Sequence, residues 1–332
     1  MKKKKLAPIF CLLGVFGLSG LSYGQALFEY SGKKYARDDL SGKLKNQVYE
    51  ADLQAYRAKH SIIDQAVIEL HIKQLAKAQK KTPEQVEKEL FGLKEPTEKE
   101  LKKFYEENKA RIPYPFDKVK ADIKRFVQDK AKSEKRHMIV EGLRKKKKFV
   151  SLVKEPEAPI VDIDATGFAR RGNAKSKVTV VEFADYKCPH CGEAAKSFKS
   201  IYKKYDKKVN FVFVDFPLRP GLSEKLAEGA ACAGEQNKYW EYHTMAFEQQ
   251  ASTNDASVQG FADKVGLDKG KFKSCLSSGS GMAIVKKGRK LGESIGVTGT
   301  PAVYVNGKKV MGYTKDLIEK AIDNGLSGAG RS

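Results

Sequence analysis

Between Lys43 and Lys81 neither glycine nor proline interrupts the chain, and Ile63, Ala66, Val67 and Leu70 recur at the i, i+3, i+4, i+7 spacing of one apolar helix face. A helix of that length exceeds the usual range for one compact domain, so it reads as an extended arm or as a helix shared between chains. Ahead of it, Leu27-Phe28-Glu29-Tyr30 and Lys34-Tyr35 flank Ser31-Gly32 and predict a small hairpin. Two further helix starts are signposted. Thr82-Pro83-Glu84-Gln85 offers a capping hydroxyl, a proline at the first helical position and a glutamine three residues after the cap, and Thr97 with Glu100 repeats the capping box. Ile112-Pro113-Tyr114-Pro115 then breaks the chain, and Phe116, Val119, Ile123 and Phe126 mark one face of a last helix running towards Lys148. Residues 27–152 therefore read as a mostly α-helical domain.

Residues 153–159 contain Pro156 and Pro159 and read as a linker, since proline suits neither a helix interior nor a central strand. Beyond it, in residues 160–332, the pattern changes to alternating strand and helix. Residues 178–183 are a β-branched strand, 191–205 a helix and 209–216 a second strand. Residues 222–293 are mostly helical. Residues 302–305 and 308–311 flank Asn306-Gly307, the strongest short hairpin signal, and a final helix covers 315–324. The fold class this predicts is an α/β domain with a helical insertion, preceded by the α-helical one.

Residues 1–26 stand apart from both. Lys2, Lys3, Lys4 and Lys5 precede an uncharged apolar run over residues 6–21, and small residues follow at Ser22-Tyr23-Gly24 and Gly24-Gln25-Ala26. That is the layout of a cleaved secretory signal peptide; a membrane anchor is the alternative, disfavoured by the three interior glycines. Export to the periplasm is the expectation, and Cys11 would be lost with the signal. The formal charge of +22 falls to +18 without those four lysines. The remaining lysines are interleaved with glutamate along helical stretches, with one dense basic block at residues 144–148, and no nucleic-acid motif accompanies them. They read as solvated helix faces and ends, so no nucleic-acid partner is expected.

Four cysteines remain: Cys188, Cys191, Cys232 and Cys275. An even number in an oxidising compartment points to disulfide chemistry. Zinc would need four converging ligands where only one close pair exists, so neither a metal nor a cofactor is expected. Cys188-Pro189-His190-Cys191 follows straight after a buried strand, which puts the Cys188 sulfur at a helix N-terminus, where free N–H groups and the helix dipole stabilise an anion. Cys188 is then the nucleophile and Cys191, one turn further in, the buried resolving thiol. Pro189 suits the first helical turn, and His190 is placed to donate to the thiolate or to lie charged beside it. Stabilising the thiolate stabilises the reduced form and makes the disulfide more oxidising. A purely structural bridge across two intervening residues would close too small a loop to add much stability.

The Cys188-Pro189-His190-Cys191 motif, with Gly299-Thr300-Pro301 far downstream, resembles the DsbA-type branch of thioredoxin-like proteins. The resemblance spans about residues 160–325. It implies a cis Pro301 against the active-site sulfurs, binding substrate backbone together with Thr300. Glu182 matches a buried acid that the family uses near its active site; a strand residue facing solvent is the other reading. Gly192 follows the motif, and the acidic pair that some members carry further along that helix is missing, so the family's redox potential does not transfer. Cys232 and Cys275, in a region where Trp240, His243 and Phe247 also fit the family pattern, are expected to form a second, structural disulfide; two buried free thiols are the alternative. In the N-terminal half, Pro96-Thr97-Glu98-Lys99-Glu100 with Phe104-Tyr105-Glu106-Glu107-Asn108 is similar to the helical chaperone domain of SurA- and PrsA-type folding factors, which implies client holding or dimerisation.

The function expected from these readings is thiol–disulfide exchange on exported, partly folded proteins, as oxidase or isomerase, with a membrane redox partner and pairing of chains through the helical domain. The alternative is a periplasmic holdase whose redox domain is auxiliary.

Overall fold

The computed structural model describes residues 26–109, 112–146 and 148–328. The predicted signal peptide lies outside them, apart from Ala26. Among the described residues no helix is long and apolar enough to cross a membrane. The chain divides into two compact units, one formed by residues up to Val48 together with Ala158–Ser332, the other by Tyr49–Glu157. The later division falls within the proline-bearing linker. The earlier one moves the hairpin and the first helical turns into the unit that holds the C-terminal half. Local contacts account for that grouping: the Asn46 amide donates to the Ile295 carbonyl, and Gly42 lies against Ser294 and Ile295.

The helical unit comprises the continuation of α1 (Gly42–Gln79), α2 (Pro83–Phe91), α3 (Glu98–Asn108) and α4 (Phe116–Lys145). Both capping boxes form: Thr82 accepts from Gln85 N at 3.3 Å, and Thr97 from Glu100 N at 3.3 Å. The buried face of α1 is rotated from the predicted one. Ile68, Ile72 and Ala76 are buried against Val86, Phe91 and Val140, whereas Ala66 and Leu70 face out, Leu70 with 58% exposure. Two apolar stripes compete along this helix, and α2 and α4 cover the stripe through Ile68. Phe126 is likewise 55% exposed, while Ile123 packs with Leu101 and Tyr105.

The other unit opens with β1 (Ala26–Tyr30) and β2 (Lys33–Ala36), an antiparallel hairpin turning at Ser31-Gly32, both with positive φ. Its main sheet has five strands in the order β3-β5-β4-β6-β7, with β3 Ala169–Gly172, β4 Thr179–Ala184, β5 Asn210–Asp215, β6 Ala302–Val305 and β7 Lys308–Lys309. Among the described strands only β4 and β5 run parallel, and α5 (Pro189–Tyr205) makes the crossover that joins them. Val180, Val181, Phe183, Phe211, Val212, Phe213 and Val214 are all buried, as expected of strands covered on both faces. Asn306 (φ 49°) and Gly307 (φ 78°) form the β6–β7 turn. Between β5 and β6 lie α6 (Leu222–Gly234), α7 (Tyr239–Glu248), α8 (Asp255–Lys264), α9 (Lys269–Ser278) and α10 (Ser280–Ser294), and α11 (Lys315–Leu326) closes the domain. The edge strand β3, with sequence Ala-Arg-Arg-Gly, was not legible beforehand because it has no apolar alternation.

Candidate active site

Strand β4 is buried and delivers the chain into the segment Asp185-Tyr186-Lys187-Cys188. Asp185 organises that turn: its carboxylate accepts from Lys187 N at 2.7 Å, Leu218 N at 2.9 Å and the Ser223 hydroxyl at 2.6 Å. Cys188 N donates to the Asp185 carbonyl at 3.1 Å. Cys188 is the N-cap of α5 in extended conformation, and Pro189 takes the first helical position, where its missing N–H costs nothing. The Cys188 carbonyl accepts from Cys191 N at 3.0 Å, Gly192 N at 3.2 Å and the Gln250 amide at 2.8 Å. That same amide donates to the Tyr186 carbonyl at 2.8 Å, so one side chain from the turn after α7 ties down both ends of the approach. Gly192 is what lets it in: a Cβ there would collide with the Gln250 side-chain oxygen.

The two sulfurs occupy unlike environments. Cys188 is half-buried, and its thiol lies 3.3 Å from the Thr300 carbonyl. Cys191 is fully buried, at 0% exposure. The Cys188 pKa is lowered to about 5, chiefly by a hydrogen bond from the Cys191 thiol; burial works against this, and Thr300 and the main-chain N–H groups of Cys191 and His190 add to the lowering. The Cys191 pKa is pushed far up, first by burial and then by the neighbouring Cys188 sulfur. At neutral pH the pair therefore carries one negative charge, held on the sulfur that solvent reaches. Thr300 and Pro301 are joined by a cis peptide bond and flank the sulfurs at the start of β6.

The His190 imidazole has a partner that the sequence did not suggest. Its Nδ1 is 2.8 Å from the Tyr313 hydroxyl, beyond β7, and its contribution to the Cys188 thiolate comes through the main-chain N–H. Glu182, on β4, does not face solvent: it is 3% exposed, and one carboxyl oxygen has no hydrogen-bond partner. Burial raises its pKa to about 8, so it is a neutral acid at pH 7. His243 is a packed core residue, pulled down to about 3 by burial and therefore neutral, with Nδ1 3.2 Å from the Tyr186 hydroxyl. Tyr239 donates to Asp215 at 2.8 Å nearby, and burial lifts the Asp215 pKa to about 7. Cys232 on α6 and Cys275 on α9 are disulfide-bonded, with Cα atoms 5.7 Å apart. No cluster of three or more metal-ligating side chains occurs among the described residues. Gln250, Asp185 and Tyr313 carry no motif; only the position of Asp185, three residues before Cys188, could have marked it.

Residues 165–324 match the family model described as Thioredoxin. Disulfide bond formation protein D of Bacillus subtilis is 29% identical over 169 residues, which are 47% of this chain and 76% of that protein. A Na+/H+ antiporter of Salinispora arenicola is 27% identical over 172 residues, 51% of this chain but only 26% of its own length. The chain thus spans about a quarter of that relative. Among solved structures, oxidised BdbD from Bacillus subtilis superposes with a TM-score of 0.47 at 25% identity, covering 52% of this chain and all of that one. The C-terminal half of the chain is a thioredoxin-like α/β domain with relatives among the disulfide bond formation proteins, preceded by a mostly helical region.

Proposed function

We propose that the protein is a thiol–disulfide oxidoreductase working on exported, partly folded proteins in the periplasm, with Cys188 as attacking and attacked sulfur. The observation that carries this reading is the asymmetry of the pair: a half-exposed Cys188 with a pKa near 5 beside a buried Cys191 that stays protonated. In the oxidase direction, a client thiolate attacks Cys188 Sγ of the Cys188–Cys191 disulfide. The S–S bond breaks, its electron pair goes to Cys191, and Cys191 takes up a proton. A second client thiolate then attacks the client sulfur of the mixed disulfide and expels Cys188 as thiolate. The client is oxidised by two electrons and the enzyme reduced by two, and a membrane redox partner must restore its disulfide. A thiolate stable at neutral pH favours this direction, because it lowers the free energy of the reduced enzyme. Thr300 and Pro301 are assigned to client backbone, and Glu182, neutral at pH 7, to proton exchange with Cys191. In the isomerase direction reduced Cys188 would attack a misplaced client bridge.

The helical unit supports a client-holding or chain-pairing role, since Ile62 (68%), Met138 (62%), Leu70 (58%) and Phe126 (55%) are exposed on it. The resemblance of that unit to SurA- and PrsA-type chaperone domains fits the same role. The test of the main reading is oxidation of reduced, unfolded ribonuclease by stoichiometric oxidised full-length chain, with scrambled ribonuclease as a parallel substrate. Rapid loss of client thiols that vanishes in Cys188→Ser is the expected result, and reshuffling of the scrambled form identifies isomerase activity. Equal activity in Cys188→Ser refutes the reading. Suppression of aggregation of a cysteine-free client by the doubly substituted Cys188→Ser, Cys191→Ser chain would favour the holdase role.

A further inference from the structure

Helix α5 carries the redox pair at its first turn, and the rest of its length walls a groove of about 730 Å³. The groove begins at Gly192, the residue after Cys191, and runs past Lys196, Lys199 and Lys203 on one face of α5, with Thr244, Phe247 and Glu248 of α7 opposite. Eleven residues of helix between Gly192 and Lys203 span roughly 16 Å, the length of about five residues of extended peptide. The floor is aromatic, from Tyr202 and Phe247, both 9% exposed.

One side chain in this groove is unspent. The Arg171 guanidinium, on edge strand β3, is held 4.2 Å over the Tyr202 ring and 4.9 Å over that of Trp240. Its Nε is buried without a hydrogen-bond partner, and no carboxylate pairs with it among the described residues. Two aromatic faces therefore fix the plane of a guanidinium whose terminal Nη groups, unlike the buried Nε, are left for a ligand in the groove, a geometry that takes a carboxylate with little loss of side-chain entropy. Around it the charge is lopsided. Arg171, Lys196, Lys199 and Lys203 face Glu248 and Asp206; Lys199 reaches Glu248 at 3.4 Å, Lys196 is paired at 2.8 Å with Glu193 of its own helix, and among the described residues Lys203 has no ion-pair partner.

We propose that this groove binds an acidic, extended segment of the client polypeptide, with Arg171 as its carboxylate receptor and Lys199 and Lys203 as flanking charges. The inference rests on the disulfide-exchange reading for its biological sense: the segment would be held one residue from the redox pair, raising the local concentration of client thiols. Its physical content is a binding site and is tested without redox chemistry. Trp240 is the only tryptophan in the chain and stacks on Arg171, so its fluorescence reports occupancy.

The experiment titrates full-length protein with a cysteine-free heptapeptide of alternating glutamate and glycine while following Trp240 fluorescence. Three proteins are compared: the natural chain, Lys199→Glu with Lys203→Glu, and Lys271→Glu with Lys273→Glu on α9. The last pair makes the same change in net charge away from the groove. Each exposed pairing contributes a factor of roughly 1.5 to 5, and reversal replaces attraction by repulsion. The groove pair should therefore weaken binding about tenfold and the control pair less than about twofold. Equal weakening by both pairs, or no saturable signal with the natural chain, overturns the proposal. Oxidation of an uncharged dithiol peptide by the same proteins reports separately on the redox reading, so failure of one is distinguishable from failure of the other.

Discussion

Replacing Cys191 by alanine removes the largest single influence on the Cys188 thiolate. The Cys191 thiol donates the hydrogen bond that does most to bring the Cys188 pKa down to about 5. A hydrogen bond to a charged group is worth roughly 1.5–3 kcal/mol, but a thiol is a weak donor and Cys188 is partly solvated, so about 1.4 kcal/mol is the appropriate scale. Since 1.36 kcal/mol corresponds to one pKa unit, the Cys188 midpoint should rise from about 5 to about 6. Cys191→Ser keeps a donor and should rise less. The assay is absorbance at 240 nm, where thiolate absorbs, over a pH titration of each single-cysteine variant, checked by the pH profile of iodoacetamide alkylation. At pH 5 the thiolate fraction should fall from about one half to about one tenth in Cys191→Ala. Unchanged midpoints in both variants would refute the reasoning, because the thiolate would then owe its stability to the helix terminus alone.

Three further outcomes follow from the same geometry. Glu182 has a folded-state pKa near 8 against an ordinary value of 4.5, so the native state binds the extra proton between those limits. Its favourable share is present below about pH 4.5 and is lost as pH rises towards 8, at up to about 1.4 kcal/mol per pH unit. Glu182→Gln should flatten the fall in unfolding free energy between pH 5 and 8 measured by urea denaturation; an unaltered slope contradicts the assignment. Gly192→Ala pushes Gln250 off the Tyr186 and Cys188 carbonyls and should cost about 1–2 kcal/mol. Gln250→Ala should cost a similar amount, and the double variant little more than either alone; additive losses would mean the two residues act separately. Converting both Cys232 and Cys275 to alanine opens a loop of 43 residues and should lower stability by roughly 4 kcal/mol in the chain-entropy model, with the Cys188 midpoint unmoved. A shifted midpoint would show that this disulfide acts on the redox centre.

What could be read from the sequence was whatever local chemistry dictates. The capping boxes at Thr82 and Thr97, the Asn306-Gly307 turn and the strand leading into Cys188 depend on neighbours within a few residues, and all lie where the pattern puts them. The miss on α1 is instructive because Leu70 and Ile68 lie on alternative stripes of one helix, and only the packing of Phe91 and Val140 selects between them. Strand β3 exists because β5 offers it a free edge, not because Ala169–Gly172 has strand character. At the candidate site the sulfurs, Pro189 and the Thr300–Pro301 pair stand out in the sequence as motifs. Gln250 and Tyr313 were not, since the first is 62 and the second 123 residues from its partner there. Glu182 was legible as a position but ambiguous in its facing, since only the covering of both faces of β4 in the folded domain makes it buried.

The account stands most directly on Cys188 as the sulfur that bonds to clients. Full-length Cys191→Ala, mixed with a client activated as a thionitrobenzoate disulfide, should yield a stable mixed disulfide that peptide mapping places at Cys188, formed at a rate that tracks a thiolate titrating near pH 6. In the parallel Cys188→Ala protein the buried Cys191 should remain unmodified on the same timescale. Adduct formation at Cys191, or at neither cysteine, would contradict the central claim.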